Sequence, residues 1–240
     1  MIGIISDGDS DFDVLKKLVQ AIFEKHSQKN ISDEEFYRFD KIKTFDAMQS
    51  YFDDCRKKQK GYGLHDFHTK EFIKNIIEFL VTSFYKLTQE KETPINNQDI
   101  IIFNADSEMI MGKNTAYFEE WLYFIHPVLW KAIEHFYDKL VLAGYSYEQI
   151  PLVLPIIPFP CIEILVRAAM PNYDEKYRNL KAKPELKQEV WGVDTIPTAY
   201  KNGYIAMTLE DYIIPQNIEM IYKHIPEARK FIQILSFNLK

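Results

Sequence analysis

Carboxylates gather at two places in this 240-residue chain. Asp7, Asp9, Asp11 and Asp13 follow the apolar run of residues 2 to 6, and Asp106 with Glu108 follows the run of residues 99 to 104. Four or five carboxylates brought into one crevice repel one another at neutral pH unless a hard divalent cation, Mg²⁺ or Mn²⁺, compensates them. Such a cation is the usual partner of phosphate chemistry.

The elements that would bring the two bursts together can be read from the pattern. A continuous apolar run is the mark of a buried parallel strand, and in an open α/β sheet the ligand lies beyond the carboxyl ends of the strands. Val14, Leu15, Leu18, Val19, Ile22 and Phe23 recur at helical spacing directly after the first acidic burst. Ser10 and Asp13 have the spacing of a capping box, so the start of that helix is a place for a phosphate or a carboxylate. A short strand is expected near residues 35 to 39, and helices over residues 46 to 60, 70 to 89 and 127 to 142. Residues 150 to 157 are a candidate strand whose prolines suit an edge or irregular strand better than a central one. The helix of residues 161 to 170 carries Glu163 and Arg167 four residues apart. Residues 171 to 204 are polar and predict a long loop or lid with room for one helical turn. The tail restarts as helix at Thr208, with Thr208 and Asp211 as a capping box, and again at Pro226. The expected fold class is α/β: a mostly parallel central sheet flanked by helices over residues 1 to 170, with residues 171 to 240 packed on the same domain as a loop or lid and C-terminal helices.

Composition excludes several classes. With 47% hydrophobic and 27% charged residues the chain has the make-up of a globular domain, and its net charge of −6 argues against broad electrostatic binding to nucleic acid. Arg56-Lys57-Lys58-Gln59-Lys60 remains a local basic run, either a phosphate-backbone contact or a solvated helix end. No secretory signal or membrane span is evident, and Cys55 and Cys161 stand apart without metal or disulfide spacing, which fits a reducing cytoplasm. His65 and His68 lack a third ligand. Neither a Walker-type loop nor a dinucleotide-binding glycine loop is present.

The two strand-end motifs resemble those of the Toprim domain shared by topoisomerases, primases and overcoming-lysogenization-defect nucleases. There one strand ends in Glu-Gly-x-x-Asp and a later one in Asp-x-Asp; here the stretches read Asp7-Gly8-Asp9-Ser10-Asp11 and Asp106-Ser107-Glu108. The likeness covers residues 1 to 170 and includes small prokaryotic Toprim-like proteins, with a later segment similar to residues 156 to 163. It implies Mg²⁺ or Mn²⁺ on Asp106 and Glu108, with Asp7 as general acid/base or further ligand. Asp9, Asp11, Glu163 and Arg167 are candidates to support that centre from just outside it. Asp7 stands where the family has Glu, and Glu108 where it has the second Asp. One substitution shortens the reach and the other lengthens it.

Three functions follow as expectations. One is a metal-dependent nuclease acting on phosphodiesters. Another is a degenerate metal- or phosphate-binding module in a larger assembly, with a protein partner. The third is a phosphatase of haloacid-dehalogenase type, with Asp7 as nucleophile and Asp9 as acid/base, although Asp11 stands where that family places Thr or Val. For Asp9, Asp11 and Asp13 a plain reading also holds, as solvated acids at a helix start. For Glu163 and Arg167 the plain reading is a helix ion pair at the core's edge.

Overall fold

The apolar run that opens the chain becomes an interior strand with a neighbour on each side. The computed structural model describes residues 1–6, 8–39, 66–91, 93–104, 126–192 and 200–238. Strand β1 (Ile2–Ile5) pairs with β2 (Phe36–Arg38) on one side and β3 (Ile100–Phe103) on the other, and β3 pairs with β4 (Leu152–Pro155). Every pairing is parallel and the order is β2-β1-β3-β4. Every residue of β1 and β3 is buried, which is why both read as unbroken apolar runs rather than alternating ones.

Around this sheet, among the described residues, stand eight α-helices: α1 (Asp9–Ser27), α2 (Asp66–Glu90), α3 (His126–Leu142), α4 (Glu163–Ala169), α5 (Lys183–Trp191), α6 (Lys201–Tyr212), α7 (Ile218–His224) and α8 (Pro226–Asn238). Strand alternation divides the core in two. Ile2, Ile4, Ile100, Ile102 and Leu154 pack with α1 and the C-terminal helices, while Ile5, Ile101, Phe103 and Val153 pack with α2 and α3. The parallel α/β fold with a helical C-terminal part is therefore as the sequence predicts. No helix among the described residues is long and apolar enough to cross a membrane.

Edge strand β4 is closed by a side chain. The Tyr137 hydroxyl of α3 accepts from the Val153 N–H at 2.9 Å and donates to the Pro151 carbonyl at 3.1 Å. Exposed edge groups are a template for unwanted pairing, and a hydroxyl that both donates and accepts occupies two of them.

Three local expectations are corrected. Helix α1 begins at Asp9 with Gly8 as N-cap and no side-chain cap, so Ser10 and Asp13 do not form a capping box. The segment expected as a long loop contains α5, which Pro184 starts and the left-handed Gly192 stops. Only Leu186, Val190 and Trp191 of α5 are buried, too narrow a stripe to stand out in a polar sequence. Thr208 lies inside α6, where its hydroxyl donates back to the Tyr204 carbonyl at 2.9 Å and caps nothing. The basic run of residues 56 to 60 and the two histidines at 65 and 68 lie outside the described residues.

Candidate functional site

The chain reverses its direction across the sheet between β1 and β3. From β1 it moves outward to β2 by way of α1, then returns past β1 to β3 and continues to β4. That reversal is the topological switch point, and the crevice beyond the carboxyl ends of the two strands is where an open α/β sheet binds its ligands. Ile5 is registered with Phe103, and the Asn104 N–H donates to the Ile5 carbonyl at 3.0 Å. Asp7 therefore follows β1 by two residues, and Asp106 follows β3 by three, on adjacent strands. Asp7, Asp106 and Glu108 themselves lie outside the described residues.

What surrounds that crevice is described. Ser6 is buried and its hydroxyl donates to the Gly8 carbonyl at 3.3 Å. A Cβ at Gly8 would meet the Asp11 carboxyl group at 3.1 Å, so a larger residue there would make the Asp11 side chain give way. Asp11 is thus a buried carboxylate lying against Gly8, whereas Asp9 is exposed. Burial pushes the Asp13 carboxyl above its ordinary 3.8, against the pull of Lys16 and Arg38.

Arg38, the last residue of β2, supplies the compensating cation. Its Nη2 donates to the Asp9 carboxylate and, at 3.5 Å, to the Gly8 carbonyl. Its guanidinium lies 5.1 Å from the centre of the Phe12 ring. Across the sheet, Asn104 is 1% exposed and its Oδ1 meets no donor among the described residues. Buried amide oxygens are nearly always satisfied, and this one sits at the mouth of the switch point. Neither residue was among the sequence candidates. Asn104 stood in plain view as the first polar residue after β3, but Arg38 carried no signal, because a strand of three half-buried residues has no distinctive pattern.

Glu163 and Arg167 do not pair with each other. Glu163 accepts from the Trp191 indole at 3.0 Å and lies 3.5 Å from the Lys187 ammonium; Arg167 donates to Glu189 at 2.8 Å and to the carbonyls of Pro171 and Asn172. Both side chains tie α4 to α5. The helix ion pair expected as the plain alternative is replaced by two contacts to a helix the sequence did not reveal. A second anchor acts nearby: Glu227, fully buried at the start of α8, accepts from the Phe159 N–H at 2.9 Å and from Arg178. It fixes the segment that follows β4.

Among the described residues, no group of three or more His, Cys, Asp or Glu side chains could hold a metal ion. The acids of the expected centre fall outside that set. No protein-family model, curated protein or solved structure matches the chain.

Proposed function

We propose that this protein is a metal-dependent phosphoryl-transfer enzyme that cleaves nucleic-acid phosphodiesters at the β1/β3 switch point. The adjacency of the two strand ends carries the reading: acids that follow neighbouring strands share a crevice, whereas acids on opposite edges of the sheet would not. The donor set fits a hard cation. Asp106 and Glu108 are the residues that would hold Mg²⁺ or Mn²⁺, with Asp7 beside them, and the buried Asn104 Oδ1 is one more oxygen of the type such ions prefer. Bound there, the ion would neutralise charge developing on the phosphodiester. Asp7 handles a proton, and the buried Asp11 lies beside Gly8, the residue after Asp7 in the chain. The resemblance to Toprim domains supports the same assignment. A haloacid-dehalogenase-type phosphatase is less favoured, because Asp11 stands where that family places Thr or Val.

The test is cleavage of DNA and RNA by the purified chain with Mg²⁺ or Mn²⁺, compared with chelator and with Asp106→Ala. Metal-dependent cleavage lost in that variant supports the enzyme. Metal binding without cleavage in any condition leaves the binding-module reading in its place.

A further inference from the structure

We infer that Arg38 grips the substrate's phosphate in this crevice. The inference rests on the phosphoryl-transfer reading and adds to it the group that binds the anion. Arg38 reaches the α1 face of the sheet, since it is registered with Ile4 and touches Gly8, Asp9 and Phe12. Strand alternation puts Ser6 and Asn104 on that same face, two residues beyond Ile4 and Ile102. The carboxyl edge of the sheet therefore presents a polar row of Arg38, Ser6 and Asn104, with the start of α1 above it.

Two members of the row point to an occupant. Among the described residues, the buried Arg38 Nε meets no acceptor, and the Asn104 Oδ1, in a side chain almost wholly buried, meets no donor. An unpaired charged N–H inside a protein is costly and calls for an anion. The oxygen calls for a donor, such as the water of a hydrated cation accompanying that anion. The 19-residue helix α1 adds its positive end, and its N-cap, Gly8, contributes no side chain to cover it.

Phosphate suits this arrangement better than carboxylate does. A guanidinium held over Phe12 offers parallel N–H groups to two oxygens of one tetrahedral anion, and phosphate, unlike carboxylate, would keep a further oxygen for a cation if Asp106 and Glu108 held one. Asp9 occupies part of that fork in the free protein. Its side chain is 66% exposed, and exposed ion pairs are weak, so an incoming phosphate displaces it readily. With a net charge of −6 the chain has no broad field to hold a polyanion, which concentrates recognition in one local contact.

Calorimetric titration of the full chain in Mg²⁺ with inorganic phosphate, and with a short single-stranded oligonucleotide bearing or lacking a 5′-phosphate, decides the matter. Arg38→Ala should weaken inorganic phosphate binding about tenfold or more, with Arg38→Lys between the two, since a point charge does not replace the fork. Dependence on the 5′-phosphate identifies a terminal phosphate as the source, and equal loss for both oligonucleotides identifies the internal diester. Unchanged affinity in Arg38→Ala, or no phosphate binding by the parent, overturns the inference. Should Arg38→Ala fail to fold, Asp9→Asn takes its place: relief of competition tightens phosphate binding, and unaltered affinity overturns the claim. The Mg²⁺-induced rise in melting temperature, recorded for the parent and for Arg38→Lys, keeps the two ideas apart. If that rise persists while phosphate fails to bind, the metal reading stands without Arg38. If it is absent, the metal reading fails by itself.

Discussion

The backbone N–H of Asn104 donates to the carbonyl of Ile5, 3.0 Å away, carrying the β1–β3 ladder to two residues before the second acidic burst. One hydrogen bond thus makes neighbours of two segments about a hundred residues apart in sequence. The proposed metal centre depends on this adjacency, because charge repulsion between carboxylates falls steeply with distance in a solvated crevice.

Asp106→Asn should therefore leave the metal-free protein as stable as the parent or more so, since it removes one of several mutually repelling charges. It should also abolish the rise in melting temperature that Mg²⁺ or Mn²⁺ gives the parent. At a hundredfold excess over the dissociation constant, that rise corresponds to about 2.7 kcal/mol. Differential scanning calorimetry with and without metal measures both quantities, and a parent indifferent to metal removes the basis for the site.

Tyr137 lends itself to a cleaner stability measurement. Tyr137→Phe deletes the hydroxyl that serves both the Val153 N–H and the Pro151 carbonyl, and should cost about 1 to 3 kcal/mol in urea unfolding. Burial raises the Tyr137 phenol above its ordinary 10.0, with the Val153 N–H pulling the other way. The folded state thus favours the protonated phenol. Its contribution is complete below the unfolded value near 10 and disappears as pH rises through the higher folded value. The phenylalanine variant should lack that alkaline loss.

How much of this was legible beforehand differs from residue to residue. The runs before Asp7 and Asp106 were plain because strands buried on both faces leave unbroken apolar sequence. The edge character of β4 followed from its prolines. Arg38 was hidden because three half-buried residues make no period, and α5 because it buries only three side chains. Glu163 and Arg167 have the spacing of a helix pair, yet spacing cannot reveal that Trp191, Lys187 and Glu189 arrive from another helix to claim them. Local pattern reports what a residue's own element does and is silent about partners brought by the fold.

Asp99 gives the opposite pH dependence to Tyr137. Its burial alone would raise its pKa, but the Lys91 ammonium at 2.5 Å, the Met1 ammonium at 2.8 Å and the Asn96 N–H at 2.9 Å together hold the carboxyl below its ordinary 3.8. Its stabilisation is complete above 3.8 and is lost as pH falls through the lower folded value. Asp99→Asn should cost roughly 2 to 3 kcal/mol at pH 7 and flatten the acid limb of the stability curve. An unchanged acid limb would show that other carboxylates govern it.

Asp7→Glu separates a working centre from a degenerate one. Relative to the Toprim pattern, the chain is one methylene short at position 7 and one long at position 108. Catalytic groups tolerate displacements of only about 0.5 Å. If the two departures compensate, the parent cleaves nucleic acid in Mg²⁺ or Mn²⁺, and the longer Glu at position 7 pushes the proton-transfer group out of place. The cleavage rate then falls by about two orders of magnitude or more, within the range that general acid–base catalysis contributes. If the departures have disabled proton transfer while sparing the metal, the parent is silent and Asp7→Glu restores cleavage. Single-turnover assays on DNA and RNA, run beside the metal-induced melting shift, distinguish these outcomes. Silence of both forms with the shift intact would leave a metal-binding module and end the nuclease assignment.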